Sequence, residues 1–170
     1  YTINPDFSQV ESDVPMIMAN QTFAISYPEK RTFFLEGAEL LKSDMQSVYT
    51  RSITNPLGAL KYINQGEKNS TYLMQATDTD SPYLAAGQFR SYKGNAGKSK
   101  VSIGRFKRNL GQNSHIGFIG TNREYQLGGS GRLLEFDGLI NFLDDYILDV
   151  NYARSETHEG NIDFINTDST

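Results

Sequence analysis

From about Ser47 almost to its end, this chain of 170 residues alternates apolar and polar side chains with a period of two. That period fits strands and no helix. The clearest stretch is near the end. Leu134, Phe136, Gly138, Ile140 and Phe142 fall on one side, against Glu135, Asp137, Leu139 and Asn141 on the other. Tyr146, Leu148, Val150 and Tyr152 repeat the pattern against Ile147, Asp149, Asn151 and Ala153. The alternation predicts strands at about 47–55, 57–65, 69–78, 84–93, 98–109, 114–124, 131–143 and 145–156, with a weaker one near 161–166. Turn chemistry separates them, as at Gly66-Glu-Lys-Asn69, Asp78-Thr-Asp-Ser-Pro82, Gly94-Asn-Ala-Gly97 and Gly128-Gly-Ser-Gly131. Many strands joined by short loops make an all-β antiparallel meander.

A face with aromatics at both ends, apolar residues between them and charged or amide groups opposite is what a lipid-facing strand with an interfacial girdle requires. Phe136, Phe142, Tyr146 and Tyr152 are the candidate girdle. The strands are also long enough for a tilted crossing of about 9–11 residues. A soluble antiparallel sheet with one wet face predicts the same alternation, so the pattern alone leaves both readings open. Composition agrees with either: 38% hydrophobic, 12% aromatic and fifteen glycines. No apolar run reaches the ~18 residues of a membrane helix, which excludes helical spans but not a barrel. A net charge of −4 disfavours non-specific nucleic-acid binding. Cysteine is absent and there are two histidines, so thiolate and histidine-rich metal sites are not expected, and no cofactor motif is read.

Residues 1–46 differ from the rest. Asn4-Pro5 and Val14-Pro15 favour an extended arm, with room for one helical turn at Ser8 to Asp13, and Phe23 to Tyr27 alternates as a short strand that Pro28 ends. Leu35, Ala38, Leu40 and Leu41 are spaced for one face of a short helix over 35–41. Between these elements, Glu29, Lys30, Arg31 and Glu36 sit beside Phe33 and Phe34. Charges among aromatics must be paired if buried, and we read these four as a structural latch rather than a ligand site.

Other constellations carry less. Asp78-Thr-Asp-Ser81, with Asp6, Asp13 or Asp144-Asp145 nearby, offers hard oxygen ligands for Ca²⁺, but the offsets of an EF-hand loop are missing and turn formation explains the acids. Lys98, Lys100, Arg105, Lys107 and Arg108 are a basic run suited to a barrel rim or lumen. Gly128-Gly-Ser-Gly131 lacks the lysine and helix of a phosphate loop. A carboxylate pair such as Glu135 and Asp137, two apart on one strand face, could flank a glycosidic bond, and solvation in a lumen is the simpler role. No catalytic constellation is expected.

The blocks Thr2-Ile-Asn-Pro-Asp-Phe-Ser-Gln-Val-Glu-Ser-Asp13, Phe23 through Tyr-Pro-Glu-Lys-Arg-Thr-Phe-Phe-Leu-Glu-Gly37, and Val48-Tyr-Thr-Arg-Ser-Ile53 occur in fixed order. Gly97-Lys-Ser99 and Gly104-Arg-Phe-Lys107 follow. Together they resemble domain of unknown function 5916, an outer-membrane barrel family of Bacteroidota type in which a carbohydrate-binding family 9-like domain usually precedes the barrel. Tyr27 stands where that family commonly has Phe, and Thr32 where it commonly has Pro. The resemblance implies no catalytic residues. It implies localisation to the bacterial outer membrane, outer-membrane lipid as the main partner, and contact with further outer-membrane or secretion subunits or, through a preceding domain, with glycan.

The resulting expectation is a plug-like arm over 1–46 and barrel strands over 47–170, together a piece of a longer mature protein acting as a pore, secretion or uptake component. The rivals are a soluble or periplasmic carbohydrate-binding sheet, using Tyr146 and Tyr152 as platforms, and a membrane-associated hydrolase.

Overall fold

The computed structural model describes residues 1–3, 28–86, 91–111, 113–142 and 146–160. Alternation becomes strand over most of them. The strands are β1 (Thr2–Ile3), β2 (Pro56–Gln65), β3 (Asn69–Asp78), β4 (Pro82–Ala86), β5 (Ser91–Asn95), β6 (Ser99–Gly111), β7 (Ser114–Tyr125), β8 (Gly129–Phe142) and β9 (Tyr146–Glu159). Seven form one antiparallel sheet in the order β1-β2-β3-β6-β7-β8-β9, the expected all-β meander. The expected strand at 161–166, the strand at Phe23 to Tyr27 and the turn at Ser8 to Asp13 lie outside the described residues, as do Asp6, Asp13, Asp144 and Asp145.

One face of this sheet is covered and the other open. On β3, Tyr72, Met74 and Ala76 are buried while Leu73 and Gln75 between them are exposed. Val101, Ile103 and Arg105 of β6 repeat this against Lys100 and Phe106. What covers the face is the segment 28–55. Its Phe34, Leu41 and Ile53 join Ala59, Tyr72, Met74, Ala76, Val101 and Ile103 in one core. Apolar burial between the segment and the first strands therefore fixes the segment in place.

Three expectations are corrected. The helix expected over 35–41 is divided into α1 (Thr32–Leu35) and a 3-10 turn, Ala38–Leu41. Gly37 separates them with φ +76, a left-handed conformation open to glycine. A Cβ there would lie 2.4 Å from Ile63 Cδ1, so the same glycine lets the turn settle on the sheet.

The strand expected over 47–55 is not one. Instead of a ladder, side chains take up its backbone groups, and a 3-10 turn spans Thr50–Ser52. The Asp78 carboxylate, fully buried, accepts the amides of Asn55 (2.7 Å) and Thr54 (3.0 Å). That use of Asp78 also replaces the Ca²⁺ reading of the Asp78 turn, and among the described residues no three acids or histidines converge as a metal site.

The strand expected over 84–93 is two short ones, β4 and β5, paired with each other. Neither edge of β3 is open to a single strand there, because β6 pairs along β3 from Asn69↔Arg108 to Asp78↔Ser99 and β2 holds the other edge.

Gly37→Ala combines a left-handed backbone with a core clash and is expected to cost roughly 2–4 kcal/mol. Urea unfolding of the variant against wild type, with the midpoint shifted and the slope unchanged, checks this.

Candidate functional site

The covered segment brings its own polar backbone against the sheet, where each group needs a partner. Arg31, 4% exposed, supplies several. Its guanidinium donates to the carbonyls of Ile53 (2.5 Å) and Thr50 (3.1 Å) and stands 4.1 Å from the Phe34 ring centroid. It also makes a two-pronged pair with Glu29, Nε to Oε1 and Nη2 to Oε2, both 2.8 Å. Thr50 Oγ1 donates to the same carboxylate at 2.7 Å. Burial pushes the Glu29 carboxyl upward, but the bonds from Arg31 and Thr50 and the Arg31 charge more than offset this and hold it below the ordinary glutamate range.

The four latch residues therefore do not act as one cluster. Lys30 is exposed, and its backbone amide donates to Glu29 Oε1 at 3.1 Å. Glu36 pairs with Lys61 of β2 at 3.0 Å, with Glu36 73% exposed, a geometry that contributes little. Lys61 does more through its bonds to the carbonyls of Phe33 and Glu36 (2.5 and 2.8 Å) and its position 4.6 Å from the Phe33 ring centroid. Arg51 donates to the Pro28 carbonyl at 2.9 Å, and both terminal nitrogens of Arg123 on β7 reach the Ser52 carbonyl at 3.0 Å. Sequence reading missed Lys61, Arg123 and Asp78 as anchors, because each acts on backbone far away in the chain.

A second polar cluster lies further across the covered face. Arg105 of β6 pairs with Asp137 of β8 through both terminal nitrogens, passing over β7. Gly117 makes that crossing possible. A Cβ at Gly117 would lie 2.7 Å from the guanidinium nitrogens. His115 Nε2 is 3.4 Å from Asp137, and Ser47 Oγ donates to Glu135, which is 2% exposed. Glu135 and Asp137 thus hold the segment and an arginine respectively. Of the basic run, Arg105 and Lys107 fall on the covered face, while Lys100 and Arg108 fall with the open-face residues.

On the open face the register aligns the four aromatics expected to form a girdle. Phe142 pairs with Tyr146 and Phe136 with Tyr152. The Phe142 and Tyr146 rings stack with centroids 5.6 Å apart and planes 16° from parallel. The row through Phe136 is longer than the sequence suggested, since Phe106↔Phe118↔Phe136↔Tyr152 runs across β6 to β9, with Phe118 and Phe136 at 5.1 Å. Leu148 and Val150 lie between the aromatic rows, 48% and 41% exposed.

Residues 1–80 match the family model of domain of unknown function 5916 (DUF5916). The resemblance read from the sequence is therefore supported over that stretch. The DUF5916 match takes in the Arg31–Glu29 pair, the described covering segment, β2 and β3 with its Asp78 anchor. No curated protein and no solved structure matches the chain.

Arg31→Leu strands a buried carboxylate and is expected to cost about 3–5 kcal/mol, more than Arg31→Leu combined with Glu29→Leu. Urea unfolding of the two variants checks the order, and equal costs would exclude a pair acting as a unit. With the Glu29 pKa depressed in the fold, its contribution is complete above about pH 4.3 and is lost as pH falls through the depressed value. Wild type is expected to lose stability over that acid range, and Glu29→Gln to lose less.

Proposed function

We propose that this chain forms part of the wall of a bacterial outer-membrane β-barrel, with residues 28–55 lying in the lumen as a plug, and that it serves as a pore, secretion or uptake component. The observation that carries this reading is the apolar band on the open face, bounded by aromatic rows. From Leu134 to Phe142 the strand rises by roughly 26 Å at about 3.3 Å per residue. Tilted by about 40°, it covers roughly 20 Å, most of the ~25 Å apolar belt of an outer-membrane barrel. Beyond Leu134 and Tyr152 the face turns polar, with Arg132, Arg154 and Glu156.

The opposite face supports the same reading. At β6 to β9 it carries Arg105, Lys107, Arg123, Glu135, Asp137 and Asp149 among apolar residues, a charge content that a lumen allows and a sandwich core does not. β9 runs for 14 residues with one edge unpaired among the described residues. A long bare edge invites uncontrolled pairing, so in the barrel further strands take it up and close the wall. Outer-membrane lipid is then the partner of the open face. The DUF5916 resemblance adds a connection to glycan through a preceding domain and to other outer-membrane subunits.

Cell fractionation of the full-length protein tests this directly. It is expected in the outer-membrane pellet, resisting alkaline carbonate and released by detergent. Val150→Arg separates lipid from water at the face itself. In lipid it is expected to cost about 2–4 kcal/mol in reversible unfolding from vesicles, whereas on a wet face an already exposed position would tolerate it. Release without detergent, or a neutral Val150→Arg, defeats the proposal.

A further inference from the structure

The covering segment does not fit the sheet equally along its width. Against β2, β3 and β6 it is sealed by the apolar core. Toward β8 and β9, its recorded polar links are Ser47 to Glu135 and Asp44 to Asn151. Between these links and β6 lies a cavity of about 310 Å³. The volume is at the small end of ligand-binding cavities.

Its lining brings Lys42 and Asp44 from the segment, Lys107 from β6, His115 from β7 and Asp149 from β9. Lys107 of β6 begins the row Lys107↔Gly117↔Asp137↔Asn151, and the adjacent row runs Asn109↔His115↔Leu139↔Asp149. The floor is neutral, because Arg105 and Asp137 satisfy one another. At the β9 side, Asn151 Nδ2 donates both to Asp149 Oδ1 (2.8 Å) and to Asp44 Oδ2 (3.1 Å). An uncharged amide thus holds two carboxylates together. Among the described residues, neither Lys107 nor Asp149 has an ion-pair partner. Polar atoms of the lining are also unmatched. Arg105 Nε, in a side chain 2% exposed, Ser43 Oγ and Asn151 Oδ1 are buried without a hydrogen-bond partner. Buried polar groups of this kind call for a guest.

We propose that this cavity binds a small zwitterionic solute, a peptide of two or three residues, with its ammonium at Asp44 and Asp149 and its carboxylate at Lys107. The proposal deepens the lumen reading and rests on it for the solute's route. A simple anion would meet the two aspartates, and a simple cation would meet Lys107. A sugar would find no Phe, Tyr or Trp ring in the lining to stack on. Size agrees as well. β6 and β9 are three strand spacings apart, roughly 14 Å. With both side chains standing off the sheet, that span has room for the roughly 7 Å of an extended dipeptide.

The test is calorimetric titration of the full-length protein with dialanine, N-acetyl-dialanine, dialanine amide and maltose. Dialanine is expected to bind, and capping either end to weaken binding at least tenfold. Asp149→Asn is expected to weaken dialanine at least tenfold while leaving the acetylated peptide unchanged, and Lys107→Gln to do the same with the amide as the unchanged ligand. Circular dichroism of both variants confirms that they fold. Capped and free dialanine binding equally, binding of maltose alone, or no binding by folded protein would overturn the site. These outcomes are separate from failure of the barrel reading, which fractionation reports independently of any ligand.

Discussion

The Arg31 guanidinium is the contact on which the covering segment depends most. An irregular chain laid on a sheet leaves carbonyls and amides facing apolar surface, where each unmatched group costs roughly 1–3 kcal/mol. One planar cation with five donors matches two carbonyls, a carboxylate and an aromatic face at once. Lys61, Arg123 and Asp78 complete the same task from three strands. Lysine in place of Arg31 would keep the charge and lose the fork. The segment is thereby held by directional bonds in addition to the apolar core, which explains how 28–55 can lack regular structure and still have a defined place.

That arrangement gives the sheet two different sides. On the open side, small and aromatic residues share rows, and the Phe136 ring lies over Gly138, where a Cβ would come within 3.3 Å of it. On the covered side, glycine has another use, since Gly117 gives the Arg105 guanidinium a path to Asp137. Both uses exploit the missing side chain, and neither needs an unusual backbone. The covered face therefore passes from an apolar core at β2, β3 and the Val101–Ile103 part of β6 to a more polar surface toward β8 and β9, and the segment's contacts change with it.

Much of this was legible in the residues. The strands from β6 to β9 were read to within a few residues because alternation there is regular and turns are marked by glycine and asparagine. The placement of Phe136, Phe142, Tyr146 and Tyr152 on one face of β8 and β9 followed from parity alone. Phe106 and Phe118 were missed because membership in the aromatic row depends on register between strands, and single-strand patterns do not contain it. The segment 47–55 was misread for a related reason. Val48, Tyr49 and Ile53 have strand-like spacing, but the bonds that hold their backbone come from Arg31, Asp78 and Arg123. The latch was read as a group, whereas the fold pairs Glu29 with Arg31 and assigns Glu36 to Lys61.

The sequence by itself determined the fold class, the two-faced strands, the distinct character of the region before β2 and the DUF5916 resemblance, because each is written in local order and composition. Tertiary structure decided which face is covered, which charges pair and where a cavity remains. Those depend on residues such as Arg31 and Ile53, or Arg105 and Asp137, that become neighbours when strands are placed in register, and hydrogen bonding across such distances leaves no periodic trace in the chain.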